Sequence, residues 1–471
     1  MRKSDCGLTL FIFLEAKMEN KIATMNVKKL IWSTGIPMII SMVLQALYNI
    51  IDTAFVINMD PVLGEKANLA LTYAFPIQIF MIALGVGTGI GINALLSRHL
   101  GSKNEEGIRK TFMNSLFIMI GIFLIFVLIG VFLAEPFIRM QTNGDDTVVE
   151  MGRSYLFIVC VFSLGNVGFT VFERFLQSTG RTMFSMISQV SGALTNIFLD
   201  WLFIYPLNMG INGAAIATVI GQFVAWGLAA LFHFVFDKEI NLDFKYAKPD
   251  IKCIGEIYKI GWSAAIMQAL LSVMMLGMNL VFKAAPSSPE LLQGTFGIYY
   301  KIQQIPLFSC FGMSNCLITL TAFNYGNGKI ERLNEVIKWG IIDTCIVGAF
   351  ITIVFEILAL PISMLFGLAG GGASEEIVST CTLAIRIASI SYLFMALTIS
   401  VQGILQGLGK AVSPLALSLC RLCVFVFPVA YVFTLLDNAP SLVWVTFIIA
   451  EFITGIFSMI IIKRAYKKLQ H

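Results

Sequence analysis

Charge is scarce in this sequence. Asp, Glu, Lys and Arg make up 13% of 471 residues while 57% are hydrophobic, too little charge to clothe a water-soluble globule of this length. Histidine is scarcer still, at positions 99, 233 and 471. With no HExxH and no GxSxG, no metal or nucleophile constellation can be assembled, and the chain is not read as an enzyme. No GxxxxGK[ST] loop occurs, and 85-GVGTGIG-91 misses the third glycine of the dinucleotide fingerprint with no strand to precede it. The nine cysteines fall mostly inside apolar runs, so they do not make a disulfide frame; 420-CRLC-423 has CxxC spacing but no second pair. No cofactor is implied.

What the sequence has instead is long apolar runs. The mean hydropathy is +0.84, and the charges gather in short groups separated by runs of about 20 to 30 residues, the length a helix needs to cross about 30 Å of hydrocarbon. Twelve spans are predicted, over 30–58, 69–95, 111–134, 152–176, 183–206, 211–236, 253–283, 294–321, 337–361, 375–405, 411–435 and 441–464. Barrel strands would need about 10 residues of strict alternation, so the fold class is an all-α polytopic membrane protein.

Lysine and arginine set the orientation. Arg98, Lys103, Arg109, Lys110, Arg174, Arg181, Lys238, Lys245, Lys248, Lys329, Arg332 and Lys410 lie in or beside even-numbered loops, and both ends of the chain are basic. Both termini are therefore expected in the cytoplasm, in the inner (cytoplasmic) membrane. The net charge of +4 follows from this placement and gives no ground for nucleic-acid binding. Residues 1–24 carry a short apolar patch with no cleavage site, so they read as an N-terminal extension and not a signal peptide; Met18 and Met25 are alternative starts.

The chain also repeats itself. 176-LQSTGR-181 returns 229 residues later as 405-LQGLGK-410, and 96-LSRHLGSKNEE-106 is echoed by 321-TAFNYGNGKIE-331. Such weak similarity predicts two pseudo-symmetric six-helix bundles, 25–236 and 253–471, around a central cleft, joined by the polar linker 237–252. In 85-GVGTGIG-91 the pairs Gly85/Gly89 and Gly87/Gly91 are expected to pack helices within a lobe.

Within this apolar chain, Asp52 stands among 29 otherwise uncharged residues from Leu30 to Met59. A carboxylate at such depth is expensive without a partner or a task. Ser41, Gln45, Tyr48, Asn49 and Asp52 recur at helical spacing, as do Ser185, Gln189, Asn196 and Asp200. Polar stripes in lipid must face protein or water, so the two stripes predict a hydrated chamber holding both acids. A carboxyl partly withdrawn from water can load and release a proton near neutral pH, and when ionised it can hold Na+. The alternative is an interhelical hydrogen bond that only joins spans.

Taken together, 35-GIPMIISMVLQALYNIIDTAFV-56, 98-RHLG-101, 323-FNYG-326, the LQxxG[RK] pair and 192-GALTNIFLDWLFIYPLNMGINGAAIATVIGQ-222 resemble the multidrug and toxic compound extrusion (MATE) family, in its DinF-like branch. The resemblance covers about Met25 to Leu469. It implies a monomeric antiporter that exports amphipathic, cationic organic compounds against H+ or Na+. Asp52 and Asp200 match the branch's ion-coupling acids, with Asn196 and Thr218 beside them, and Pro37 matches a proline that bends the first span. The branch whose acids lie on the seventh and tenth spans is not matched, since those spans offer Glu256 at a cytoplasmic end and Arg386.

Other residues remain open between cavity and core. Gln268, Met275 and Asn279 on the seventh span and Tyr299 on the eighth are candidates for the drug cavity, along with Gln45, Tyr48, Asn49 and Gln189; packing explains the methionines and tyrosines equally well. Glu173 is expected to be solvated or part of a gate, Asp343 to snorkel, and Glu356, Arg386 and Glu451 to contribute an ion pair within the C-terminal lobe. A flippase for a lipid-linked precursor is the competing function, but it would need more cations in the cavity than Lys301, Arg386 and Arg421.

Overall fold

The computed structural model describes residues 21–57, 59, 63–142, 145–369 and 374–470. Most of the N-terminal extension lies outside them. Among the described residues there is no strand. Helices cover every predicted span: α1 Val27–Ile57, α2 Leu63–Gly101, α3 Glu105–Arg139, α4 in two pieces, Asp146–Val161 and Leu164–Ser178, α5 Thr182–Ile204 and α6 Gly210–Phe236, then α7 Ile251–Lys283, α8 Pro289–Gly326, α9 Ile330–Ala369, α10 in two pieces, Glu375–Ser389 and Ser391–Gly407, α11 Val412–Thr434 and α12 Val445–Gln470. Among the described residues ten helices are long and apolar enough to cross a membrane singly, and α4 and α10 are bent by 42° and 51° at their breaks. These two occupy equivalent places in the two halves.

Local chemistry places the helix starts on the linker side. Asn104 caps α3 by accepting from the Gly107 N–H at 3.0 Å, with Glu105 and Glu106 in the first turn, and Asp250 caps α7 through the Lys252 N–H at 2.9 Å. The repeated LQxxG[RK] motif is a pair of helix ends. Gly180 and Gly409 adopt φ of 80° and 78°, and the next residue closes each end, Arg181 N–H to Leu176 C=O at 2.8 Å and Lys410 N–H to Leu405 C=O at 2.9 Å. Glycine takes this left-handed position without a Cβ clash, which explains why both halves keep it.

Each half has its own core. Phe112, Phe126, Leu156 and Phe175 are wholly buried in the first, and Phe296, Tyr299, Tyr392 and Trp444 in the second. Helix α1 belongs to both. Its linker-side end, through Val27, Leu30, Ile31 and Met38, packs with Met313, Cys316 and Leu320 of α8 and Val336 of α9, while Val56 at the far end joins the first core. Pro37 lies within an unbroken helix, on the part still packed against α8, where the backbone at Met38 and Ile39 presses on Gly312.

On the linker side the lobes meet closely. The RHLG and FNYG motifs cross each other: Gly101 lies against the Phe323 carbonyl, and Gly326 against the Arg98 carbonyl. Hydrogen bonds reinforce this seam, among them Thr319 Oγ1 to Asn93 Oδ1 at 3.1 Å, Thr88 with Tyr258 at 3.0 Å and Thr34 with Cys316 at 3.0 Å. Arg98 stacks over the Tyr325 ring at 4.7 Å. The glycines of 85-GVGTGIG-91 divide between two partners, which corrects the expectation of packing inside one lobe. Gly85 and Gly89 meet Thr170 and Arg174 of α4, but Gly87 and Gly91 meet the α7 backbone at Gly261 and Ile257 across the seam.

Candidate functional site

Helices α5 and α6 approach closely because two glycines face each other. A Cβ on Gly192 would lie 2.7 Å from the Gly221 carbonyl oxygen, so no larger residue fits at this crossing. One turn along, that approach sets the Asn196 Nδ2 3.5 Å from the Thr218 Oγ1. One further turn brings Asp200, fully buried. Asp52, half-buried on α1, is its electrostatic neighbour.

This cluster is rich in oxygen and poor in donors. Asp52 Oδ1, both Asp200 carboxyl oxygens and Asn196 Oδ1 are buried without a hydrogen-bond partner among the described residues. Two facing carboxylates repel each other strongly out of water, so a proton held between them or a cation among them would relieve a large electrostatic penalty. No group of three or more His, Cys, Asp or Glu side chains that could hold a metal ion is present among the described residues.

Two neighbours complete the chamber. Tyr155 of α4 is buried beside both acids and Tyr48, and its hydroxyl accepts from Gln78 Nε2 of α2 at 2.7 Å, which leaves its own O–H free to donate. Neither residue stood out in the sequence. Tyr155 lies near a predicted span end, where tyrosine commonly marks the interface; Gln78, a lone amide in the uncharged run after Pro76, did carry an intramembrane polar signal.

The other predicted residues are spread more widely. Gln45, Tyr48 and Gln189 are half-buried on α1 and α5, and the Asn49 side chain lies outside the described residues. On α7, Gln268 and Met275 are half-buried, and the Asn279 amide turns back to the Met275 carbonyl at 3.0 Å. Tyr299 sits in the C-terminal core, its ring 5.4 Å from Trp444 and 5.5 Å from Phe447, not on a cavity surface.

Several charged residues behave differently from expectation. Glu173 is buried instead of solvated, 3.5 Å from Arg174, and accepts from Gln177 Nε2 at 2.9 Å and from Ser185 Oγ at 3.3 Å. Asp343 does not snorkel; it is 4% exposed, with Trp32 and Lys28 of α1 as neighbours. Glu451 does form an ion pair in the C-terminal lobe, but its partner is Arg421 at 2.8 Å, whereas Glu356 accepts from Ser389.

The profile of the MatE family matches residues 37–202 and 264–432. A multidrug export protein, MepA, of Staphylococcus saprophyticus is 26% identical over 91% of this chain and 92% of its own length, and MepA of Staphylococcus aureus is 25% identical with the same coverage. A solved multidrug resistance MATE family transporter of the MOP superfamily, in an outward-facing conformation, superposes with a TM-score of 0.89 at 23% identity, covering 96% of this chain and 98% of its own. With both halves of the chain matched by the family profile, this protein belongs to the MatE family.

Proposed function

We propose that the chain is a cation-coupled antiporter that exports amphipathic organic compounds, cationic drugs among them, by alternating access. The observation that carries the reading is the donor-poor cluster of Asp52, Asp200 and Asn196 oxygens, a site that asks for an incoming H+ or Na+. Its membership in the MatE family and its resemblance to multidrug export relatives support the same direction. The linker face and both termini lie in the cytoplasm, where the basic residues concentrate, and the chain works as a monomer.

The division of α1 supplies a route from ion to cleft. A cation or proton bound between Asp52 and Asp200 removes their repulsion and draws α1 against α5. The linker-side half of α1 is packed on α8 and α9, so any bend at Pro37 is felt at the seam between the lobes. Asp52 lies 15 residues beyond Pro37, about 22 Å along the helix, in the half of the membrane away from the linker. Ion entry there favours release of the exported compound, and by linkage the compound disfavours the bound ion.

Proteoliposomes with separately imposed pH and Na+ gradients test this, with ethidium as the exported compound. Asp52→Asn and Asp200→Asn keep shape but remove the charge, and each should fold normally and lose gradient-driven efflux. Wild-type efflux from either variant would remove that acid from coupling.

A further inference from the structure

Both LQxxG[RK] glycines are covered, and in each case the covering residue is held by the opposite lobe. Gly180 of the N-terminal lobe meets Ile22: a Cβ on Gly180 would lie 3.0 Å from both Cγ1 and Cδ1 of that side chain. Gly409 of the C-terminal lobe meets Arg98 of α2, whose Nη2 would lie 3.2 Å from such a Cβ and donates to the Leu408 carbonyl at 3.4 Å. A left-handed glycine leaves a shallow seat beside the helix end because it has no side chain. Both seats are taken.

Ile22 reaches its seat from a segment fastened elsewhere. It belongs to a helical turn, Lys21–Thr24, that precedes α1, and Arg332 at the start of α9 donates from Nη2 to the Ile22 carbonyl at 2.8 Å and the Met25 carbonyl at 2.6 Å. A short turn leaves such carbonyls open, and a guanidinium binds them more strongly than a neutral donor would. Lys28 adds a contact over the Trp339 ring of α9 at 3.4 Å, and Ile22, Val27 and Leu30 share one apolar cluster with Met313 and Leu320 of α8 and Val336 of α9. The segment is therefore tied to the C-terminal lobe by charge-assisted bonds, while the Ile22 side chain touches the N-terminal lobe by apolar contact. When the lobes part, the apolar contact is the one that yields.

Ile22 sits at the rim of the seam. Gly180 also borders a narrow space between the lobes, lined by Gln177 and Thr182 on one side and by Thr34, Thr319 and Cys316 on the other. Its walls carry polar groups, yet it is too tight to hold a water molecule. Ile22 is 5% exposed and Cys316 is fully buried. Water that widened this space would solvate the polar walls, so the closed form needs cover at its rim. Ile22 provides it.

We infer that residues 22–28 form a strap that clasps the two lobes together on the linker side, with Ile22 on Gly180 as its catch and Arg98 on Gly409 as the counterpart in the other half. The inference rests on the reading of the chain as an alternating-access exporter, in which this seam opens during part of each cycle. The strap runs directly into α1, so the catch and the ion chamber at Asp52 lie at opposite ends of one helix. Releasing the catch favours the form that is open on the linker side.

The test uses the full chain in lipid nanodiscs, with Cys316 as the reporter and the other eight cysteines replaced by serine or alanine. A small cationic methanethiosulfonate reagent reaches Cys316 when the seam has opened, and spin labels at Ser102 and Lys329 in a cysteine-free version report the distance between the lobes. Ile22→Ser should raise the modification rate about fivefold or more and add a longer-distance population. Ile22→Val keeps an apolar contact and should shift both readouts less than Ile22→Ser does. Arg98→Gln should act in the same direction, and the effects of Ile22→Ser and Arg98→Gln should multiply, as expected for separate fasteners.

An unchanged modification rate in folded Ile22→Ser protein would overturn the strap. A faster rate with no longer-distance population would overturn it too, since Ile22 would then be a local cover and not a clasp. Should Ile22→Ser not fold, Arg332→Gln loosens the same segment from α9 and must produce both changes; if it produces neither, the strap is overturned equally. Ethidium efflux from proteoliposomes by the unsubstituted chain keeps the two readings apart: its absence refutes the exporter reading, whereas a negative labelling result in a protein that does export refutes the strap alone.

Discussion

The crossing of the two repeated motifs gives a sharp test of how the lobes move. A Cβ built on Gly326 would run into the Arg98 carbonyl oxygen and lie 2.9 Å from its carbonyl carbon and 3.1 Å from its Cα. These are backbone atoms of α2, which cannot swing aside as a side-chain end would. Gly326→Ala therefore forces the linker-side seam apart or strains it. Overpacking of this kind typically costs about 1–3 kcal/mol, but only in the conformation where the seam is closed.

Gly326 closes the last turn of α8 with an ordinary negative φ, where alanine is a better helix former than glycine. Fold stability should hold or rise slightly while the balance between conformations shifts toward the open seam by about 5- to 150-fold. Spin labels at the exposed Ser102 and Lys329, one in each lobe, on a cysteine-free background should then show a longer-distance population that the unsubstituted protein lacks. A distance distribution unchanged by Gly326→Ala, in protein with normal thermal stability, would refute the argument that backbone contact at this crossing holds the seam.

Three further outcomes follow from single residues. Tyr155→Phe leaves Gln78 without its 2.7 Å acceptor, a loss of about 1–3 kcal/mol for a buried donor; ion-coupled efflux should weaken severalfold while the protein stays folded, and unchanged efflux would place Tyr155 outside the chamber's work. Gly409→Ala puts a Cβ on a residue at φ 78° and should lower stability by about 1–2 kcal/mol, read as a drop in the thermal midpoint. The linker aspartate Asp243 is held below the ordinary carboxylate range, first by Arg109 at 2.7 Å and then by the Lys245 N–H. A depressed carboxyl stabilises above its unfolded value and loses that contribution as pH falls through the folded one, so hydrogen-exchange protection of residues 243–246 should be flat from pH 8 to about pH 5 and fall only below the ordinary aspartate value of about 3.9. Asp243→Asn should lack this acid step.

The site was partly legible along the chain. Asp52, Asn196 and Asp200 announced themselves because each is a polar group in an apolar run at helical spacing, and such groups have few places to go in lipid. Tyr155 did not, and the polar signal of Gln78 named no partner, because each is a single residue on its own helix and becomes part of a chamber only when α2, α4 and α5 converge on α1. The Arg421–Glu451 pair was missed for the same reason. Residues 30 apart on successive helices carry no periodic signal, and Arg386 and Glu356 were equally eligible partners by depth.

The sequence by itself determined the class of fold. Apolar runs of spanning length leave only helices, since the backbone must satisfy its own hydrogen bonds in hydrocarbon, and the 229-residue recurrence of LQxxG[RK] divides the chain into equivalent halves because the same left-handed cap ends the same helix in each. Tertiary structure alone decided who faces whom: that Gly87 and Gly91 serve the seam while Gly85 and Gly89 serve the lobe, that α1 is shared between two cores, and that Asp52 and Asp200 keep oxygens without partners while Glu451 finds Arg421. The reason is that periodicity fixes only which residues share a helix face. The neighbour that face meets depends on how helices far apart in the chain pack together.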